Sequence, residues 1–188
     1  PLIGCHVGAD TAAALMIIAM DKEEEPVMMI DIGTNTEVVL GNKDKIMAAS
    51  CPAGPAFEGG KIKYGMPGIE GAIERISLTN NHADYHVIGD IAPKGICGSG
   101  LIDLLAELLR TKKMDELGRL EEGVNEYVVV PQRHITFSRA DISELAQAKS
   151  ANVAGQKLIM RRYGVTLDQV KKYYLSGGFA WYINPDNA

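Results

Sequence analysis

Cysteine is scarce and badly placed for a disulfide framework: Cys5, Cys51 and Cys97 are odd in number, far apart, and form no Cys-x-x-Cys pair. There is no Gly-x-x-x-x-Gly-Lys-Ser/Thr loop and no Gly-x-Gly-x-x-Gly, so Walker-type and Rossmann sites find no support. Basic residues are outnumbered 24 to 19 and the net charge is −5, which argues against nucleic acid as a partner because such proteins need a basic face. The longest apolar run, Ala12 to Met20, is far too short to span a bilayer, and nothing resembling a signal peptide opens the chain. A cytoplasmic protein without a membrane partner is expected. Repeats and low-complexity tracts are absent, and no Ser-His-Asp or Cys-His arrangement can be proposed from spacing. Of His6, His82, His86 and His134, only His82 and His86 are spaced for a mutual contact, and all four read as surface or packing residues.

What is there fits one domain of ordinary size: 188 residues, 46% hydrophobic, enough to bury a core. Pro1 in place of Met, and an end directly after an apolar segment, lead to the expectation of a piece cut from a longer protein. The most informative stretch is Val27 to Gly41. An apolar run ends in Asp31, Gly33 opens a turn of Thr34, Asn35 and Thr36, and a β-branched run leads away, which predicts a hairpin. Such a turn can hold a phosphate through its amides and side chains, with Asp31 placed for a magnesium ion or its water shell. It is equally readable as a plain hairpin.

Before it, Gly8 to Met20 predicts a helix capped by Asp10 or Thr11 and, being apolar on most sides, buried. After it, Lys45 to Ala49 predicts a third antiparallel strand. Cys51 to Gly68 is rich in glycine and proline, which reads as a loop at a functional cleft or as a long surface loop. Ile69 to Leu78 and Tyr85 to Ile88 predict a strand pair around a polar turn.

Gly98-Ser99-Gly100 then opens a helix running to about Lys112, with Leu101, Leu104, Leu105 and Leu108 as its apolar stripe and Ser99 as N-cap. Its N-terminus reads either as an anion site or as the start of a capped core helix. Val128 to Val130 predicts a short strand. Ser138 and Asp141 resemble a capping box that starts a long helix to about Tyr163, with Ile142, Leu145, Ala146, Val153 and Met160 on one face. Ala148, Ala151 and Gly155 leave another side open to a second backbone or a flat ligand. Arg161, Arg162, Lys171 and Lys172 read as a solvated face. Finally Tyr173 to Ser176 predicts a buried strand that runs into Gly177 and Gly178, where an adenine or ribose, or a tight turn, would fit.

Three glycine-bearing stretches in this order, at Asp31, Gly95 and Leu175, are similar to the second half of the ATP-binding core of the acetate kinase, sugar kinase, Hsp70 and actin superfamily. Asp31-Ile-Gly-Thr-Asn-Thr-Glu, Ala53-Gly-Pro-Ala-Phe-Glu-Gly, Gly95-Ile-Cys-Gly-Ser-Gly and Ala148-Lys-Ser-Ala-x-x-Ala-Gly resemble, over nearly the whole chain, the C-terminal domain of reductive activators of corrinoid-dependent proteins. The resemblance implies an α/β, actin-like (ribonuclease H-like) fold, with a mixed sheet opening with three antiparallel strands, helices on both faces, and the chain as one part of a larger two-lobed fold. It also implies an ATPase that returns a partner's corrinoid from cobalt(II) to cobalt(I). Asp31 would position magnesium or water, and Gly33, Thr34, Asn35 and Thr36 would hold phosphate. Gly98, Ser99 and Gly100 would join the nucleotide site, Gly177 and Gly178 would lie by the adenosine, and Lys149 or Ser150 are weaker nucleotide candidates. ATP and Mg2+ are the implied cofactors, an iron–sulfur cluster belongs to a separate N-terminal ferredoxin domain, and a homodimer is conceivable. Because no second Asp-x-Gly-Thr and no ferredoxin cysteines occur, half of the ATP site and the electron carrier are expected elsewhere. The runner-up resemblance is to 2-hydroxyacyl-CoA dehydratase activators, with Cys51 and Cys97 as iron–sulfur ligands; further alternatives are a non-catalytic partner-binding module and a sugar or acyl kinase.

Overall fold

The computed structural model describes residues 7–79, 82–178 and 180–187. Cys5, His6, Asn80, Asn81 and Phe179, parts of several sequence motifs, lie outside them. The sequence predicts one domain; the chain groups into two compact units, residues 1–53 with 149–181, and residues 54–148 with 182–188.

The first unit is built on a four-stranded sheet in the order β3-β2-β1-β9, from β1 (Val27–Ile32), β2 (Thr36–Gly41), β3 (Ile46–Cys51) and β9 (Lys172–Ser176). β1, β2 and β3 are antiparallel in sequence, and β9 lies parallel to β1. Both faces of β1 are covered, which is why it reads as a continuous apolar run rather than an alternation. Met28 and Ile30, with Val38 and Leu40 of β2, pack against Ile159, Met160 and Tyr163 of helix α3 (Arg139–Tyr163). Val27 and Met29, with Val39, pack against Ala14, Leu15 and Ile18 of helix α1 (Ala9–Ile18). The mixed sheet with helices on both faces matches the expectation.

Two details differ from the sequence reading. α1 is not buried: Met16 and Ile17 are 82% and 84% exposed, because a helix that is apolar all round still offers only one side to a sheet. Its N-cap is Gly8, which offers no side-chain cap, and the Asp10 carboxylate accepts the Thr11 amide instead. Nor is β9 a buried strand; it is the sheet edge, with Tyr173 and Leu175 45% and 43% exposed.

The second unit holds β4 (Ala72–Thr79), β5 (His82–Val87) and β6 (Gly95–Ile96) in the order β5-β4-β6, the hairpin of β7 (Glu126–Val130) and β8 (Ile135–Ser138), and helix α2 (Gly98–Arg110) on β4. α2 completes the hydrogen bonding of β4 with side chains. Ser99 donates to the Glu74 carbonyl, Asp103 accepts the Ile76 amide, Glu107 accepts the Leu78 amide, and Arg110 donates to the Leu78 carbonyl. Four helical residues rise about 6 Å and two strand residues about 6.6 Å, so the 99-103-107 spacing keeps step with 74-76-78.

α3 opens as its sequence predicts. The Asp141 carboxylate accepts the Ser138 amide and hydroxyl while the Asp141 amide donates to the Ser138 hydroxyl. Its buried stripe, however, is Ile142, Leu145, Ala148, Asn152, Gly155 and Ile159; Ala146 and Val153 face outward.

Candidate functional site

β1 and β2 are in register from Val27↔Gly41 to Ile32↔Thr36, so the hairpin closes through Gly33, Thr34 and Asn35, as the sequence predicts. The register places Asp31 beside Glu37 on one side and beside Ser176 of β9 on the other. Asp10, which the sequence reading took only as a helix cap, also acts here. Burial first and the Asp10 carboxylate second raise the Asp31 pKa, against a hydrogen bond from Ser176. Glu37 is raised mainly by burial, with Asp31 and Asp10 adding to the effect, although Ser50 donates to it at 2.9 Å. None of the three carboxylates forms an ion pair among the described residues. The end of β1 therefore gathers carboxylates with which no cation pairs among the described residues.

Glycine follows the same strand ends. Gly177, with φ +106°, runs so close to β1 that a Cβ there would overlap the Ile32 carbonyl and stand 3.2 Å from an Asp31 oxygen. A side chain at Gly178 would meet nothing within 4 Å. One glycine thus serves the strand contact beside Asp31, and the next in the chain leaves open space.

The remaining sequence candidates fall into three groups. Thr34 and Asn35 are exposed in the turn, whereas Thr36 is fully buried with a hydroxyl that has no partner among the described residues. Lys149 and Ser150 lie on the exposed side of α3 with no hydrogen bond or ion pair among the described residues. Gly98, Ser99 and Gly100 belong to the second unit and are all buried. There Cys97, not Ser99, is the N-cap; the Ser99 hydroxyl is committed to Glu74, and a Cβ at Gly100 would overlap the Ile73 carbonyl.

Glycine in the Cys51–Gly68 loop has an internal reason as well. The Gly59 and Gly65 backbones lie against each other, too close for a Cβ on either. The side of α3 left open by small residues is filled by protein: a Cβ at Gly155 would overlap the Cys51 sulfur. Burial raises the Cys51 thiol pKa, with Glu37 adding to it, and the Cys97 thiol donates to the Ile73 carbonyl at 3.4 Å. The two histidines of β5 do not meet; His86 bonds Glu74 at 3.0 Å and His82 lies 3.6 Å from Asp84.

No three His, Cys, Asp or Glu side chains among the described residues converge as a metal cage. The site fits a different kind of ion. Magnesium keeps much of its water and is held by one or two carboxylates plus substrate phosphates, which is what an uncompensated Asp31 beside an exposed turn can supply. The Thr36 hydroxyl, buried with no acceptor among the described residues, is a donor open to a partner at the base of the same turn.

The family described as the C-terminal domain of RACo, the ASKHA domain, matches residues 25–188. The chain belongs to this family. An ASKHA domain is of the actin-like class, in agreement with the mixed sheet and its two-sided helices. The chain is similar to the corrinoid activation enzyme RamQ of Eubacterium limosum, 34% identical over all of this chain and 35% of that protein. It is also similar to the [Co(II) methylated amine-specific corrinoid protein] reductase of Methanosarcina barkeri, 28% identical over all of this chain and 38% of that one. A solved structure, a reductive activator for corrinoid, iron–sulfur protein, superposes with a TM-score of 0.92 at 37% identity, covering this whole chain and 33% of the other. The ASKHA domain thus spans about a third of the length of the relatives it matches.

Proposed function

We propose that this ASKHA domain supplies one side of a nucleotide site in a reductive activator, in which ATP hydrolysis drives reduction of a partner protein's corrinoid from cobalt(II) to cobalt(I). The observation that carries the reading is the meeting of Asp31, Glu37 and Asp10 with the close-packed Gly177 at the ends of the adjacent parallel strands β1 and β9. The names of the relatives support the corrinoid side of it.

In this reading the turn residues Gly33, Thr34 and Asn35 hold phosphate, and Thr36 gives its buried hydroxyl to a phosphate oxygen or a water. Asp31 would hold a magnesium ion through its water shell, and the ion would supply neutralisation of the charge that builds on the transferring phosphoryl group. Glu37 and Asp10 raise the negative potential that draws the cation in. Gly178, next in the chain to Gly177, leaves open space for the nucleoside, and Lys149 and Ser150 remain weaker nucleotide contacts. No covalent nucleophile is needed: water attacks the terminal phosphorus, the bond to the ADP oxygen breaks, and catalysis rests on position and charge. An iron–sulfur cluster in another part of the full-length protein would supply the single electron that cobalt(II) needs to become cobalt(I). The protein acts in the cytoplasm on a corrinoid protein, without nucleic acid or membrane, and a homodimer is compatible with the reading.

The test is Asp31→Ala in the full-length protein. ATP hydrolysis falls by a factor of about 10² or more if Asp31 positions the ion, and the cobalt(I) absorbance band no longer develops under anaerobic conditions. Hydrolysis at the wild-type rate in a folded Asp31→Ala protein overturns the site assignment.

A further inference from the structure

Charge is segregated along this chain. Residues 145–172 carry six cations and a single anion, Asp168, a net +5, and because the whole chain is −5 the remainder carries −10. One of the six is paired, Lys172 with Glu23 at 2.7 Å; Lys171 lies near enough to add to the lowering of the Asp168 pKa, which comes chiefly from the Thr166 side-chain hydrogen bond. Lys149, Lys157, Arg161 and Arg162 make no hydrogen bond or ion pair among the described residues, and all four are exposed. On α3 the outward stripe opposite the buried one is Ser150, Val153, Lys157 and Arg161, at helical spacing, with Arg162 beside it. Aliphatic surface is interleaved with the charge, Val153 being 37% and Leu158 51% exposed. Lys45, 4.9 Å over the Tyr163 ring, adds a further cation at the end of the helix; Asp44 is the anion that faces the same ring.

Helix-dipole stabilisation accounts for cations in the last turn, Arg161 and Arg162, but not for Lys149 and Lys157 in the interior of a 25-residue helix. We infer that the outer face of α3, centred on Lys157, Arg161 and Arg162, is a docking surface for an acidic patch on the corrinoid protein. This rests on the reading of the full-length protein as a corrinoid activator. The occupant follows from charge and from the apolar component. A protein partner offers a local acidic patch that meets the +5 segment while avoiding the −10 carried elsewhere, whereas a polyanion such as duplex DNA is repelled by most of this surface. Aliphatic side chains flanked by arginine are the composition of a protein–protein contact with a polar rim. Electrostatic pairing of this kind sets the association rate and the choice of partner more than the final affinity.

The experiment compares the full-length wild type with the Lys157→Glu, Arg161→Glu, Arg162→Glu triple variant, none of these residues being part of the nucleotide site. Association with the cognate corrinoid protein is followed by stopped-flow or surface plasmon resonance at several salt concentrations, alongside basal ATP hydrolysis. The expected result is an association rate at low salt reduced about tenfold or more, with its salt dependence flattened or reversed, and ATP hydrolysis unchanged. A Lys157→Arg, Arg161→Lys, Arg162→Lys variant should associate as the wild type does. Unchanged association of the reversal variant overturns the inference alone, since cobalt reduction by the wild type still supports the activator reading. Loss of ATP hydrolysis in step with association overturns it too, as would salt-dependent binding of a fluorescent duplex DNA to the same face. A wild-type protein that neither binds nor reduces any corrinoid protein removes the activator reading and the inference together.

Discussion

Gly155 of α3 faces Cys51 of β3 so closely that a methyl group on the glycine would overlap the thiol sulfur. Glycine in mid-helix ordinarily weakens the helix by about 1 kcal/mol relative to alanine, and here the backbone contact with the sheet is what that loss secures. Gly155→Ala should therefore destabilise the fold by about 1–3 kcal/mol through overpacking, despite its better helix propensity. Cys51→Ala in the same chain should restore at least half of the loss, a coupling that two independent sites would not show. Urea unfolding of the two single variants and the double variant measures the term. An additive double variant would mean that α3 does not sit on β3 in this way.

Gly177 raises a sharper version of the same question, because its φ of +106° and its contact with the Ile32 carbonyl and the Asp31 carboxylate both exclude a side chain. Gly177→Ala has no low-cost rearrangement, the nearest atom being backbone. We expect a stability loss of about 1–3 kcal/mol and, in the full-length protein, a fall in ATP hydrolysis larger than that of Gly178→Ala. Gly178 lies in open space, so its alanine variant should fold normally and affect nucleotide binding only. Equal effects of the two substitutions on stability would contradict the placement of β9 against β1.

Glu107 stands at the Leu78 end of the side-chain ladder along β4. It accepts the Leu78 amide and binds Arg110 through both oxygens at 2.7 Å. Truncation to alanine leaves the buried Leu78 amide without its acceptor, while Arg110 keeps the Leu78 carbonyl, and should cost about 2 kcal/mol. Ser99→Ala, at the other end of the ladder, removes one neutral hydrogen bond and should cost about 1 kcal/mol. Thermal unfolding distinguishes them, and a Glu107→Ala protein as stable as the Ser99→Ala protein would show that the ladder is decorative.

Local features were legible in the sequence where one short pattern has one physical meaning. The Val27–Gly41 hairpin is such a case, its turn chemistry sitting between two apolar runs, and so is the Ser138–Asp141 box at the start of α3. What could not be read depends on the partner surface. α1 is apolar on every side, so its composition cannot say that Met16 and Ile17 face outward. Tyr173 to Ser176 carries the residues of a buried strand but ends up at a sheet edge. The Ser99-Asp103-Glu107-Arg110 spacing was present and unrecognised, because polar residues inside a helix are usually read as its wet side. Asp10 escaped notice for a related reason: a local role as cap was sufficient, and its influence on Asp31 exists only once α1 packs on the sheet.

Acidity gives the two carboxylate sites opposite signatures. The Glu107 pKa is lowered, chiefly by its hydrogen bond from Arg110. Its stabilisation is therefore complete above the unfolded value and is lost as pH falls through the depressed folded value. Asp31 and Glu37 are raised, chiefly by burial. The folded state binds their protons more tightly than the unfolded chain does, so stability falls as pH rises from the ordinary carboxylate range through the raised values, and the penalty is complete above them. Asp31→Asn and Glu37→Gln should each raise the melting temperature at pH 7, and the gain should shrink and vanish as pH is lowered to where the wild-type carboxyls are protonated. Glu107→Gln should behave the other way, lowering the melting temperature at pH 7 and converging on the wild type in strong acid. Magnesium, if Asp31 anchors it, should stabilise the full-length wild type at pH 7 in the presence of ATP and leave the Asp31→Asn protein unmoved. An Asp31→Asn protein less stable than wild type at neutral pH would show that the hydrogen bond from Ser176 outweighs burial and the Asp10 charge, and that the end of β1 is a structural polar cluster and not a site held ready for a cation.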